Sequence, residues 1–144
     1  MTGAGGFAGV NFVRALRASR RNYGIVGSDF NKYHLIFPDV DKRYLTPRHN
    51  DRKFISEVAK IVKRERVDFV HPQPSSEALV ISAGREKIDA TVFLPSPNVM
   101  RRGQDKLQSQ KILSSAGVPV AETKAIAKGT DVATAFRELG RQVW

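Results

Sequence analysis

Cysteine is absent from these 144 residues. Disulfides and thiolate metal ligands are therefore excluded, and a reducing cytoplasm is compatible with the chain. No apolar run approaches the roughly 18 residues that a membrane-crossing helix needs, and no signal peptide precedes the first glycines. A soluble, cytoplasmic protein is the expected class. Aromatic residues are few, at 8%. Phe12, Phe54, Phe69 and Phe93 fall at apolar, core-type positions, which leaves no stacking platform for single-stranded nucleic acid. His34, His49 and His71 show no paired spacing, so no metal site is expected. No Gly-x-Ser-x-Gly elbow occurs, which removes the hydrolase triad built on it. Acid is the scarcer charge, with 14 Asp+Glu against 24 Lys+Arg and a net charge of +10. Such a balance can attract polyanions. The cations are nevertheless spread along helices, as at Arg14, Arg17 and Arg21 or Lys60, Lys63 and Arg64, which reads as solvated outer faces.

What the chain does have is 41% hydrophobic residues, enough for a packed core, and a glycine-rich opening, Thr2-Gly3-Ala4-Gly5-Gly6-Phe7-Ala8-Gly9. It fits G-x-G-x-x-G/A through Gly3, Gly5 and Ala8, and G-x-x-G-x-x-G through Gly3, Gly6 and Gly9. Both describe a strand-to-helix turn whose backbone approaches an anion at a helix N-terminus. Only Met1 and Thr2 precede the turn, so the first strand is either a stub or cut from a longer chain.

Helical spacing predicts a first helix over 10–19, with Phe12, Val13 and Leu16 facing inward. Tyr23-Gly24-Ile25-Val26-Gly27-Ser28-Asp29 predicts a buried strand ending in an acid. Asp29 is either the ribose-binding acid of a dinucleotide turn or a helix N-cap or Asx-turn acceptor before Asn31. A short irregular or one-turn helical piece is predicted at 32–37, a strand at 43–45, and a helix over 51–66 with Phe54, Ile55, Val58, Ala59 and Val62 on one face. Val67-Asp68-Phe69-Val70-His71 predicts a strand stopped by Pro72. A polar turn, 72–77, leads to a helix over 78–84 capped by Ser75 or Ser76. Thr91-Val92-Phe93-Leu94 predicts a strand closed by Pro95 and Pro97. Strands alternating with helices at these intervals imply a mainly parallel sheet, whose carboxyl ends gather Gly3–Gly9, Asp29 and 73–77. Beyond Pro97 the spacing predicts a helix over 105–116, a strand over 123–127, a helix over 131–139, and a strand beginning at Gln142-Val143-Trp144.

These landmarks, in this order, resemble the N-terminal part of an ATP-grasp ligase of the carbamoyl-phosphate-synthase-like group. The resemblance rests on the glycine loop, the strand ending at Asp29, Val67-Asp68-Phe69-Val70-His71-Pro72, and Leu94-Pro95-Ser96-Pro97. It continues through Asp105-Lys106, Gly117-Val118-Pro119-Val120, Thr123 and the tail 137–144. The fold it implies is a three-layer, Rossmann-like parallel α/β sheet, the pre-ATP-grasp domain, over 1–97. A connecting helix over 98–118 and the start of an ATP-grasp subdomain over 119–144 would follow.

The chemistry it implies is ATP- and Mg-dependent formation of an acyl phosphate that an amine then attacks. By resemblance Lys106 contacts ATP or is a solvated helix lysine, and Arg101 adds a phosphate contact or lies on the surface. Gly3, Gly5, Gly6, Asp29, Gln73, Ser75, Ser76 and Glu77 line the substrate side, where Glu77 either holds an amine or caps a helix. No catalytic residue is assigned, because the ATP lid, adenine pocket and Mg carboxylates would lie beyond residue 144. The remaining ATP-grasp domain would be the partner, in cis or in trans, and a homo-oligomer is compatible. Two other classes fit parts of the sequence: an NAD(P)-binding domain of the extended short-chain dehydrogenase type, and a basic nucleic-acid-binding module. The first lacks its Tyr-x-x-x-Lys pair, since Gly27, Phe37 and Arg48 stand four residues after Tyr23, Tyr33 and Tyr44.

Overall fold

A computed structural model describes residues 1–140. The predicted strand at Gln142-Val143-Trp144, and the last four positions of the 137–144 motif, lie outside the described residues. The chain packs as two compact units, one formed by Met1–Met100 and a second beginning at Arg101. None of the helices among the described residues is long and apolar enough to cross a membrane.

The first unit runs α1 (Phe7–Ala18), β1 (Val26–Asp29), β2 (Lys42–Leu45), α2 (Phe54–Glu65), β3 (Phe69–Val70), α3 (Ser75–Ala83) and β4 (Thr91–Val92). Short 3-10 turns stand at His34–Ile36 and Arg85–Lys87. β1 pairs in parallel with β2, and β3 with β4. Thr2 joins the two pairs by parallel bridges to Ser28 on one side and Pro72 on the other. The bonds are Ser28 N–H to Met1 O, Ala4 N–H to Ser28 O, Thr2 N–H to His71 O and Gln73 N–H to Thr2 O, all 2.9–3.2 Å. Across the unit the order is thus β2, β1, Thr2, β3, β4.

Two apolar clusters hold these elements. Phe54, Val58 and Val62 recur every four residues, so α2 turns one stripe inward to meet Val70, Ile81 and Ile88. Val13 of α1 packs with Ile25 and Val40. A small, mainly apolar cavity of about 20 Å³ lies beneath Met1, Thr2 and Val26, large enough for one water at most. α2 ends at Arg66, which adopts a left-handed conformation (φ 50°) and donates its N–H to Val62 O.

The strands are shorter than the hydrophobic runs suggested: Ile25, Val67 and Leu94 pack on the clusters but lie outside the strands themselves. Phe69 is half exposed and Phe93 is 86% exposed, so both are corrected from core to surface. Arg14 and Arg21 are exposed, whereas Arg17 is engaged. It pairs with Asp41 at 2.9 Å and donates to the carbonyls of Tyr23 and Asp39. Asp41 lies below the usual carboxylate range, first because it accepts the Ile25 N–H and then because of Arg17.

α3 begins three residues earlier than predicted. Its N-cap is Pro74, with no side-chain cap, so neither Ser75 nor Ser76 caps it; both lie in its first turn. Pro97, read as a strand stop, instead opens α4 (Pro97–Gln104), where a missing N–H costs nothing. The boundary between units falls in this helix.

In the second unit α5 (Lys106–Ser115) is capped by Asp105, whose carboxylate accepts from Gln108 N–H at 2.9 Å. The segment 123–127, predicted as a strand, forms none, because no neighbouring strand among the described residues supplies a ladder. α6 (Gly129–Leu139) follows, with the Asp131 carboxylate accepting from the N–H of Lys128. Lys124 pairs with Glu138 at 2.6 Å beside a groove of about 610 Å³ lined by Ile126, Val132, Phe136 and Leu139.

Candidate functional site

The carboxyl end of β1 and the segment leaving β3 flank the glycine loop. Gly3 has φ +62°, a conformation open to glycine and strained for other residues, and an added Cβ would lie 2.3 Å from the Pro74 ring. At Gly9 an added Cβ would meet the carbonyl oxygens of Gly3 and Ala4 at 2.5 and 2.6 Å, so this glycine lets α1 sit directly on the loop. Gly5 is pressed against His34 in the same way. These three glycines are explained by the chain's approach to itself. Gly6 differs: it is exposed, caps α1 without a side chain, and has only Gly3 O, at 3.7 Å, within 4 Å of an added Cβ. The first turn of α1 therefore opens outward at Gly6, with its N–H groups uncapped by any side chain.

Asp29 ties this loop to β1. One carboxylate oxygen accepts the Gly5 N–H at 3.0 Å and the other the Asn31 N–H at 2.9 Å, the second an Asx turn. The residue is buried, at 4% exposure. Asp29 thus anchors the loop with both oxygens engaged.

Glu77, in the first turn of α3, is equally buried. Its Oε2 lacks a hydrogen-bond partner, as does Thr2 Oγ1. Oε2 is the next nearest atom, at 3.6 Å, to a Cβ built on Gly3. Burial pushes the Glu77 carboxyl above its ordinary range and the Asp29 charge adds to this, while Thr2 and His49 pull the other way. With its Oε2 withdrawn from water, left without a donor and accompanied by the unused Thr2 hydroxyl, this carboxyl suits a protonated amine.

Around this centre, Gln73 Oε1 lies 3.2 Å from His71 Nε2, and the His71 ring stacks on Phe12 at 4.4 Å. Past β1 and β2, the Arg48 guanidinium lies over the Phe30 ring at 4.1 Å. Ser75 is exposed and Ser76 half-buried on α3.

The structure therefore brings Gly3, Gly5, Asp29, Gln73 and Glu77 to one strand edge, with Gly6 at its open side. Arg101 and Lys106 belong to the second unit, where both are exposed; Lys106 is the first residue of α5. Among the described residues no group of three His, Asp or Glu is arranged to hold a metal. Sequence reasoning did not single out Thr2, Phe30, Arg48, His49 or His71 for the site. The rule that ligands collect at strand carboxyl ends would have found the turn after β2.

No family model matches the chain, and no curated protein matches it. The biotin carboxylase subunit of pyruvate carboxylase, a solved structure, is similar over 92% of this chain, with a TM-score of 0.51 and 20% identity. This chain spans 31% of the length of that one. At that identity the likeness speaks for the fold.

Proposed function

We propose that this chain is the front part of an ATP-grasp carboxylate–amine ligase and that the strand edge around Thr2 is its substrate side. The observation that carries this is the fold likeness to a biotin carboxylase, an ATP-grasp enzyme, over almost the whole chain. The spatial order β2, β1, Thr2, β3, β4 supports it, being the 3-2-1-4-5 order of a doubly wound, Rossmann-like layer once Thr2 counts as the end of the first strand. In this reading Glu77 holds the amine, and Gly3, Gly5, Gly6, Gln73, Ser75 and Ser76 shape the pocket. Lys106 and Arg101 serve the nucleotide, where cations stabilise charge developing on the phosphates.

The described residues offer no Mg cage, so ATP and Mg would be held chiefly by a further ATP-grasp domain, in cis or in trans. The carbamoyl-phosphate-synthase-like subgroup and a cytoplasmic setting belong to the same proposal. The NAD-binding alternative is weaker, because Asp29, its ribose acid, is buried with both oxygens already accepting backbone N–H groups.

The test is ADP release by the complete product of the reading frame, across a panel of small carboxylates with hydroxylamine present. Carboxylate-dependent ADP release with hydroxamate formation is the expected result. Absence of both, with saturable NAD binding, would overturn the reading.

A further inference from the structure

The Phe30–Arg48 pair has no role in the assignments above. Both residues emerge at the carboxyl ends of adjacent strands, Phe30 directly after β1 and Arg48 shortly after β2. The Thr46 N–H bonds Asp29 O at 3.0 Å, which continues the ladder to the point where the two chains part. Phe30 is held from below, because Asp29 before it and Asn31 after it are tied by the Asx turn. Arg48 sits on the face of that ring, and no carboxylate pairs with it among the described residues. A guanidinium held over a ring in this way engages the π face without using a hydrogen-bond acceptor, so its N–H fork is available to a carboxylate or a phosphate. The residue that ties this turn to β1, Asp29, also accepts the Gly5 N–H, so the turn adjoins the glycine loop at the same strand edge as the proposed amine site.

We propose that Phe30 and Arg48 form an anion-recognition platform that takes a carboxylate or phosphate group of the substrate. β2 lies two strand spacings from Thr2, roughly 10 Å. A ligand that engages both Glu77 and Arg48 carries an amine and a separate anionic group. The inference rests on the substrate-side reading of this edge and deepens it.

The experiment is an NMR titration of the chain, following the Arg48 Nε–Hε signal and the amides of Phe30 and Gly6. Inorganic phosphate and malonate are the probes, with chloride at matched ionic strength as the control. Saturable shifts at Arg48 are expected, weakened at least tenfold in Arg48→Met. Phosphate binding more tightly than malonate assigns a phosphorylated ligand, and the reverse order a carboxylate. Arg48→Lys retains the charge without the planar fork and should bind several-fold more weakly than the native chain, so the comparison survives if Arg48→Met fails to fold. Unchanged affinity in the variants, or non-saturating shifts shared with chloride, would overturn the platform. ADP release that proceeds without anion binding at Arg48 would sink this inference alone. Anion binding without ADP release would sink the ligase reading alone.

Discussion

Replacing Gly3 with alanine tests the loop geometry directly. Two independent costs meet at this position. A left-handed conformation costs a non-glycine residue about 1–2 kcal/mol. The new Cβ would stand 2.3 Å from Cδ and Cγ of Pro74, a ring that cannot swing aside, and over-packing of this kind costs about 1–3 kcal/mol. The sum, roughly 2–5 kcal/mol, is a large share of the 5–15 kcal/mol that stabilises an ordinary domain. For a unit of this size the thermal midpoint should fall by about 10 °C or more, read by far-UV circular dichroism. Gly6→Ala is the internal control. Its φ of −69° suits any residue and nothing lies closer than Gly3 O at 3.7 Å, so it should cost about 1 kcal/mol at most, from the poorer N-cap. Equal losses at the two positions, or a Gly3→Ala midpoint within 2 °C of the native one, would refute the account of the loop.

Glu77→Gln should stabilise the fold by about 1 kcal/mol at pH 8, because it removes a buried charge lacking a donor and gives up only a modest helix-dipole term. Since burial raises the folded-state carboxyl, the native fold holds a proton that the unfolded chain has released. Native stability therefore falls as pH rises through that window, and the advantage of the variant should vanish below about pH 4, near the unfolded value. Urea melts at several pH values measure this, and a destabilised variant at pH 8 would show that Glu77 is satisfied after all. Arg66→Gly should add about 0.5–1 kcal/mol by relieving the left-handed backbone at the end of α2, again by urea melts. Phe54→Ala should cost about 3–5 kcal/mol, since Phe54 is fully buried at the head of the α2 stripe; a loss under 1 kcal/mol would mean the cluster is not the core.

The parts that could be read in advance are those governed by neighbours along the chain. α2 was legible because Phe54, Val58 and Val62 recur at helical spacing whatever they pack against. The succession of strands and helices in the first unit was legible because Pro72 and Pro95 punctuate it and apolar strand runs alternate with helical spacing. Ser75 and Ser76 misled because a serine before an apolar run suggests a cap, yet the helix had already begun after Pro74. Phe69 and Phe93 misled because a hydrophobic strand residue does not reveal whether anything covers its face. The Phe30–Arg48 contact was hidden by the 18 positions that separate its members.

By itself, then, the sequence determined the alternation of elements, the lack of a thiolate site and the need for a glycine turn before α1, since each depends on local chemistry or on composition. Tertiary structure alone decided that Thr2 bridges two strand pairs, that Asp29 spends its carboxylate on the loop, and that Glu77 is buried without a donor. Those outcomes depend on which distant backbones come within hydrogen-bonding reach, and only the packed chain sets those distances.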